Sequence, residues 1–424
     1  MASTKVFSIE GKGLKLDTAA DLEPHIAPLR TMDDVEEVRL LGNTLGVGAC
    51  QLLGEVLATK TTLTTANLAD IFTGRLLNEI PEALSSLLTA LLNLPNLATV
   101  NLNDNAFGLS TQAPLVAFLS SHVPLQHLYL NNNGLGPHAG ILIADALSAL
   151  HAKKVEARKA DPTRAVPDLE TVICGRNRLE NGSMTAWAKA FELHKNVKVV
   201  KMVQNGIRQE GISHLLSAGL HHATELRVLD LQDNTFTLMG AKALAGVVPQ
   251  WTEVEELGIG DSLLSAKGSV LLAAALRKGQ NKKLQVLRLQ YNDITAAGLQ
   301  ALAKAVESDA LPVLKKLEVN GNKFSEDDEA VVALQALFES RKEALGGDEM
   351  DEEAWGLDSL SDLEELDSDE EDEDEDEDEG EDEEVEERAE KLIKEAEEAQ
   401  EEPVVQVKDK DVDALADKLK KTTM

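Results

Sequence analysis

Cysteine, aromatic residues and long apolar runs are scarce in this sequence, and each shortage argues against a class of protein. The 424 residues include only two cysteines, Cys50 and Cys174, which lie far apart in the chain, and aromatic residues make up 3%. The N-terminal stretch MASTKVFSIEGKGLKLD breaks its apolar residues with charges. We therefore expect no disulfide framework, no secretory signal and a reducing compartment. No stretch approaches the ~18 apolar residues that a membrane-spanning helix needs, so membrane insertion is not expected.

Catalytic and ligand-binding motifs are also missing. The nine histidines show neither an HExxH motif nor Cys/His metal spacing, and GIGDSLLSAKGS lacks the phosphate-loop pattern G-x-x-x-x-G-K-[ST]. A formal net charge of −34, without interleaved basic and aromatic residues, disfavours nucleic-acid binding. We expect no metal, no cofactor and no independent catalytic centre.

Leucine, in contrast, is abundant and recurs in a pattern. The motif L-x-x-L-x-L-x-x-N-x-L, with Val, Ile, Met or Cys replacing some leucines, occurs in ten copies, mostly spaced 28 to 30 residues apart. Two copies are degenerate and carry Ile71 and Ser262 in the asparagine position. The asparagines of the other copies are Asn43, Asn105, Asn133, Asn177, Asn205, Asn234, Asn292 and Asn322.

The apolar spacing changes within each copy from a period of 2 to a period of 3.6, which predicts a strand followed by a helix. Repetition of this unit predicts an α/β fold, a curved leucine-rich-repeat solenoid with a parallel inner sheet and outer helices. We expect residues 1–345 to form about 11 units, including an atypical first unit. Both ends of this domain look capped, so we expect a monomer.

The acidity is concentrated after the repeats. Residues 346–424 contain 37 acidic and 8 basic side chains, including the run DEEDEDEDEDE at 369–379. Such a run repels itself and cannot bury apolar surface, so a disordered acidic tail is predicted over residues 346–388. Residues 389–424 regain a helical pattern, with Val412, Leu415 and Leu419 on one face.

One repeat contains three consecutive asparagines, in the stretch LYLNNNGLG at residues 128–136. Asn133 occupies the repeat position and is predicted to turn inward and satisfy backbone groups at the bend. Because side chains alternate along a strand, Asn131 should lie on the concave face and Asn132 on the rim where the strand ends. These two are free to contact a partner.

The rim position also carries acidic residues in other repeats. Taken singly such charges are typical of a solvated edge, whereas a row of them favours a site for a basic protein surface. The ten rim residues are Gly42, Asp70, Asp104, Asn132, Arg176, Gln204, Asp233, Asp261, Tyr291 and Gly321.

Two insertions interrupt the repeats. The first, IFTGRLLNEIP, places Arg75 in a turn just past the sheet edge, and the second, KKVEARKADPTRAVPD, predicts an extended helix end and a polar loop. A lone loop arginine is usually just solvated, although arginine is favoured in anion recognition.

Several of these stretches together resemble the Ran GTPase-activating protein family, in particular its short fungal form. They are FTGRLLNEIPEAL, LYLNNNGLGPHAG, ICGRNRLENGSM, VKMVQNGIRQEGI and VLDLQDNTF, followed by the acidic tail. The resemblance covers residues 1–345 and implies a leucine-rich-repeat fold of the ribonuclease-inhibitor type. It also implies binding of Ran in its GTP-bound state, alone or with a Ran-binding protein, and stimulation of GTP hydrolysis. GTP and Mg²⁺ would then belong to the partner.

The resemblance also implies roles for particular residues. Asn132 would position the catalytic glutamine of Ran, and Arg75 would lie at the interface. The expected location is cytoplasmic, where the activity would sustain the Ran gradient for nucleocytoplasmic transport; the nuclear-pore docking domain of vertebrate members is not carried over. The remaining candidate contacts with the partner are Asp70, Asp104, Asn131, Asp233 and Asp261.

Two other functions stay open on sequence grounds. A leucine-rich-repeat scaffold or inhibitor would bind a partner in its concave face without changing GTP hydrolysis. A binder of histone-like basic proteins would depend on the tail, so deleting residues 346–424 would remove its function, whereas a GTPase activator would need only residues 1–345.

Overall fold

A computed structural model describes residues 5–108, 110–163, 165–345 and 354–364, all within one compact unit, Met1–Glu370. The predicted α/β leucine-rich-repeat architecture is confirmed: each repeat contributes a short strand to one parallel sheet and, in most repeats, a helix outside it. The predicted segment 389–424 and residues 365–388 of the predicted tail lie outside the described residues.

The main sheet has twelve strands in the described part of the chain, each hydrogen-bonded in parallel to the next. They are β1 (Val6–Ser8), β3 (Glu37–Arg39), β5 (Thr65–Asn67), β6 (Thr99–Asn101), β7 (His127–Tyr129), β8 (Thr171–Ile173), β9 (Val199–Lys201), β10 (Val228–Asp230), β11 (Glu256–Gly258), β12 (Val286–Arg288), β13 (Lys316–Glu318) and β14 (Gly356–Leu357). A second, two-stranded sheet joins β2 (Lys15–Leu16) to β4 (Thr44–Leu45).

Eleven α-helices are present among the described residues. They are α1 (Ala19–Thr31), α2 (Val47–Leu57), α3 (Ile80–Leu92), α4 (Gln112–Leu119), α5 (Gly136–Ala160), α6 (Met184–Leu193), α7 (Gln209–His214), α8 (Thr237–Val247), α9 (Ala266–Leu276), α10 (Ala296–Glu307) and α11 (Glu329–Leu345).

The register of the sheet stacks equivalent residues of successive repeats. Leu128 at the centre of β7 is aligned with Val100 on one side and Val172 on the other, and all three are fully buried. Because side chains alternate along a strand, the flanking residues His127 and Tyr129 face the concave side. The core is therefore a continuous layer between the sheet and the helices.

The repeat asparagines form a buried ladder that links one repeat to the next. Asn133 Nδ2 donates to the carbonyl oxygens of Leu102 and Leu130, both at 3.0 Å, and its Oδ1 accepts from the backbone N–H of Asn105 at 3.0 Å. Asn133 in turn donates its own backbone N–H to Asn177 Oδ1 at 3.0 Å. These side chains pair backbone groups that the bend between strand and helix leaves open, as predicted.

The second insertion is held in place by two basic residues of α5. Lys154 is buried, and its Nζ donates to the carbonyl oxygens of Val123, Leu125 and Pro167, each at 2.7 Å. Burial lowers the pKa of Lys154 to about 7. Arg158 Nη2 donates to Asp168 Oδ1 at 2.5 Å. The long helix and the polar loop are therefore one packed unit.

The C-terminal end of the sheet differs from the sequence-based domain boundary. Residues 354–364 add β14 to the edge of β13, and the boundary predicted at residue 346 does not describe them. Leu357, Leu360 and Leu363 pack against the hydrophobic core, while Asp358 accepts the backbone N–H groups of Val319 and Asn320 at 2.8 and 3.1 Å. The acidic composition of the segment conceals a leucine spacing that suits a terminal strand.

A chain that ends at residue 345 should therefore be less stable than one that ends at residue 364. Removing β14 uncovers the edge of β13 and the apolar surface beneath three leucines, which we expect to cost about 2 kcal/mol. Thermal unfolding followed by circular dichroism measures the difference, with a full-length Leu357→Asp variant as the matched control. Equal melting temperatures for both truncations would show that the segment does not stabilise the domain.

Candidate functional site on the strand-end rim

The ten rim residues share a left-handed backbone. Their φ angles lie between 45° at Asp70 and 74° at Gly42. Glycine adopts this conformation without strain, and asparagine and aspartate tolerate it better than most other residues. Part of the acidic row predicted from the sequence is therefore explained by the turn, so an aspartate at the rim is not by itself a sign of a binding site.

Asn132 lies at the end of β7 with its side chain exposed, as predicted. Its backbone N–H donates to the carbonyl oxygen of Gly175 at 2.9 Å, and its Nδ2 donates to Asp104 Oδ1 at 2.9 Å. No donor for its Oδ1 is found among the residues that the structure describes. The amide oxygen of Asn132 can therefore accept a hydrogen bond from a partner, while the backbone of Asn132 is held by Gly175.

Asn131 is only half-buried but is part of a hydrogen-bonded row on the concave face. Its Oδ1 accepts from the backbone N–H of Gly175 at 2.6 Å, and its own backbone N–H donates to Asn103 Oδ1 at 2.7 Å. The other two asparagines of the triplet differ from Asn131 and from each other. Asn133 is buried in the ladder, whereas Asn132 is exposed on the rim.

The structure places Arg75 differently from the position expected of an interface residue. Its side chain is only 8% exposed, and it bonds to Thr44 through Nε to Oγ1 at 2.8 Å and through Nη2 to the carbonyl oxygen at 2.7 Å. It also forms an ion pair with Asp17, and this hydrogen bond holds the pKa of the Asp17 carboxyl below its usual range. Arg75 anchors the first insertion to the preceding repeat.

The exposed apolar residues of that insertion are the two that follow Arg75. Leu76 and Leu77 are 64% and 67% exposed, the largest exposures of large hydrophobic residues in the described part of the chain. Sequence reasoning singled out the arginine and missed them. The available signal was two leucines in an insertion that belongs to no repeat position.

The four rim aspartates do not form one uniform stripe. Asp70 accepts a hydrogen bond from the Thr73 hydroxyl, and Asp104 accepts from Asn132. Burial and repulsion from Asp261 raise the pKa of the Asp233 carboxyl, an effect that Arg176 opposes. Asp233 and Asp261 thus form an acidic pair beside a groove of about 480 Å³. The groove is lined by Arg178, Glu180, Gln204, Asn205, Gly206, Asp233, Asn234, Thr235, Asp261 and Leu263.

Metal-binding clusters and membrane-spanning helices are both missing from the described part of the chain. Within it, no cluster of three or more His, Cys, Asp or Glu residues could hold a metal ion. No helix there is both long enough and apolar enough to cross a bilayer.

Comparison with known proteins places this chain in a family. The Leucine Rich repeat family model matches residues 222–245 and 280–303. Ran GTPase-activating protein 1 of Saccharomyces cerevisiae is 40% identical over 342 residues, which cover 79% of this chain and 82% of the yeast protein. The chain belongs to the Ran GTPase-activating protein family.

The chain is also similar to other proteins. The Ran GTPase-activating protein of Drosophila melanogaster is 34% identical over 76% of this chain and 52% of its own length. Ribonuclease inhibitor of Sus scrofa is 27% identical over 50% of this chain and 43% of its own length. Among solved structures, the leucine-rich-repeat protein LegL7 of Legionella pneumophila covers 77% of this chain and 97% of its own, with 17% identity and a TM-score of 0.40.

Proposed function

We propose that this protein activates the GTPase Ran by binding its GTP-bound form and placing Asn132 against the glutamine that orients the attacking water. Small GTPases hydrolyse GTP slowly, and their activators accelerate the reaction by up to about 10⁵-fold. The observation that carries the proposal is the exposed Asn132 amide, whose backbone N–H bonds to Gly175, whose Nδ2 bonds to Asp104 and whose Oδ1 has no donor among the described residues. GTP and Mg²⁺ are supplied by Ran.

The contribution of Asn132 is positional. A hydrogen bond that holds the glutamine raises the population of arrangements in which the water lies in line with the γ-phosphate. No arginine finger is part of the proposal, because the guanidinium of Arg75 is buried and fully engaged within the domain. This chain would complete the active site of Ran and would have no catalytic centre of its own.

The rest of the interface is proposed to flank Asn132 along the rim. Leu76 and Leu77 offer an exposed apolar contact on one side, and Asp233 with Asp261 offers an acidic contact for basic residues of Ran on the other. Asp70 and Asp104 on the rim, with Asn131 on the adjoining concave face, are the remaining proposed contacts. A Ran-binding protein is a further candidate component of the complex.

The direct test is single-turnover GTP hydrolysis by purified Ran with and without this protein. We expect an acceleration of at least about 10⁴-fold at saturating concentrations. A leucine-rich-repeat inhibitor or scaffold would bind Ran without changing the rate. A second assay with a chain of residues 1–364 distinguishes the activator from a binder of basic proteins that depends on the tail. The proposed activator keeps its full rate without residues 365–424.

Two properties of the whole protein belong to the same proposal. An activator that acts on Ran-GTP in the cytoplasm would sustain a Ran gradient for nucleocytoplasmic transport, so we propose a cytoplasmic location. We also propose a monomer, because the row of outer helices begins with α1 packed on α2 and ends with α11 packed on α10 and β14, as expected of capping elements in a repeat protein.

A further inference from the structure

The direction of the Asn132 amide is set by one neighbouring side chain. Nδ2 of Asn132 donates to Oδ1 of Asp104, the rim residue of the preceding repeat, at 2.9 Å. A carboxylate can only accept hydrogen bonds, so the NH₂ group must face Asp104 and the amide oxygen must face away from it. On the other side of Asn132 the rim residue is Arg176, whose guanidinium can only donate. Neither neighbour favours the reversed amide.

We infer that Asp104 is a positioning residue that makes Asn132 present its oxygen, rather than its NH₂ group, to the glutamine of the GTPase. This inference rests on the proposed function. With the observed orientation, the glutamine donates its NH₂ to Asn132 and keeps its own oxygen for the attacking water. With the amide reversed, Asn132 would donate to the glutamine oxygen and compete with the water for it.

The backbone supports this arrangement. Asp104 and Asn132 both adopt the left-handed conformation, with φ angles of 61° and 54°. Their backbone N–H groups donate to the carbonyl oxygens of Asn131 and Gly175, both at 2.9 Å. The two side chains therefore start from fixed points on adjacent repeats. The other rim aspartates are placed differently, since Asp70 bonds to Thr73 and Asp233 lies beyond Arg176 and Gln204 in the row.

The test uses substitutions that the left-handed backbone accepts. Asp104→Asn keeps the size of the side chain but offers both a donor and an acceptor, so the direction of Asn132 is no longer set. Asp104→Gly removes the partner altogether without backbone strain. We expect each variant to lower the single-turnover rate about tenfold, while the Kd for Ran bound to a non-hydrolysable GTP analogue changes less than about threefold.

Exchanging the side chains of Asp104 and Asn132 gives a rate that would not recover if Asp104 had only a structural role. Asn132→Asp alone places two carboxylates side by side and should lower the rate at least about 100-fold. In the double variant Asp104→Asn/Asn132→Asp, the new amide donates to the new carboxylate, whose second oxygen again accepts from the glutamine. We expect the double variant to be about tenfold faster than Asn132→Asp.

A control variant and the opposing outcomes complete the test of Asp104. Asp293→Asn, the same chemical change at another left-handed aspartate, is the matched control and should keep the wild-type rate. Wild-type rates in both Asp104 variants, or a loss confined to Kd, would overturn the positioning role while leaving Asn132 and the proposed function intact. No recovery in the swapped pair would also overturn it. Failure of the wild-type protein to stimulate Ran would instead remove the proposed function, and the inference with it.

Discussion

Replacing Asn132 with glycine is expected to remove most of the acceleration of GTP hydrolysis, by about 10³-fold, and to change the affinity for Ran less than about threefold. Glycine keeps the left-handed backbone at φ 54° without strain, so the loss reports the amide alone. Alanine lacks the amide too, but its Cβ adds a penalty of about 1 kcal/mol in this conformation. We expect the amide to affect the rate more than the affinity, because it would hold the glutamine of Ran for reaction.

The measurement is a stopped-flow, single-turnover assay at saturating activator, with the Kd for Ran bound to a non-hydrolysable GTP analogue determined separately. A rate within threefold of wild type would contradict the assignment of Asn132. A large loss of affinity with an unchanged maximal rate would make the residue a simple contact. Thermal unfolding of the same variant should be unchanged, because the side chain is exposed.

Replacing the next residue, Asn133, with alanine is expected to lower the free energy of unfolding by about 2 to 3 kcal/mol and to leave the chemistry untouched. The substitution leaves the buried N–H of Asn105 without a partner and removes one of the two amide donors from each of the carbonyl oxygens of Leu102 and Leu130. Buried unpaired backbone groups cost about 1 to 3 kcal/mol each, and these costs are not simply additive.

Thermal and urea unfolding of Asn133→Ala measure this loss, with Asn132→Gly as the neighbouring control. We expect the melting temperature to fall by about 3 to 4 °C. Below the onset of unfolding, the hydrolysis rate should equal that of the wild type. Equal stability would contradict the structural role of the ladder. A loss of hydrolysis rate in a folded Asn133→Ala protein would contradict the assignment of the functional role to Asn132.

The repeat pattern was enough to predict most of the fold. A spacing of 28 to 30 residues, with leucines at strand positions and an asparagine at the bend, leaves few ways to bury the apolar side chains other than stacked strand and helix units. The same pattern distinguished Asn133 from Asn132, because side-chain alternation and the repeat position place one inside and the other on the rim. Both placements are observed.

Other features depend on contacts that no local pattern contains. The burial of Arg75 follows from Asp17 and Thr44, which lie 58 and 31 residues away in the sequence. The terminal strand β14 could not be predicted, because the charges that flank it are typical of disorder. The contacts of its leucines with β13 and the hydrophobic core appear only in the folded chain. The orientation of Asn132 depends on Asp104, one repeat away.

The shared left-handed turn restricts which side chains the rim can offer to a partner. Glycine, asparagine and aspartate fit this backbone most readily, and residues such as Arg176 or Tyr291 adopt it against an intrinsic preference of roughly 1 kcal/mol. Among the three low-strain choices, asparagine alone carries a neutral donor and acceptor together. A repeat protein with this turn is thus predisposed to act on a partner through an amide. Libraries designed to redirect it to another GTPase should vary the rim within these three residue types and place larger side chains on the concave strands.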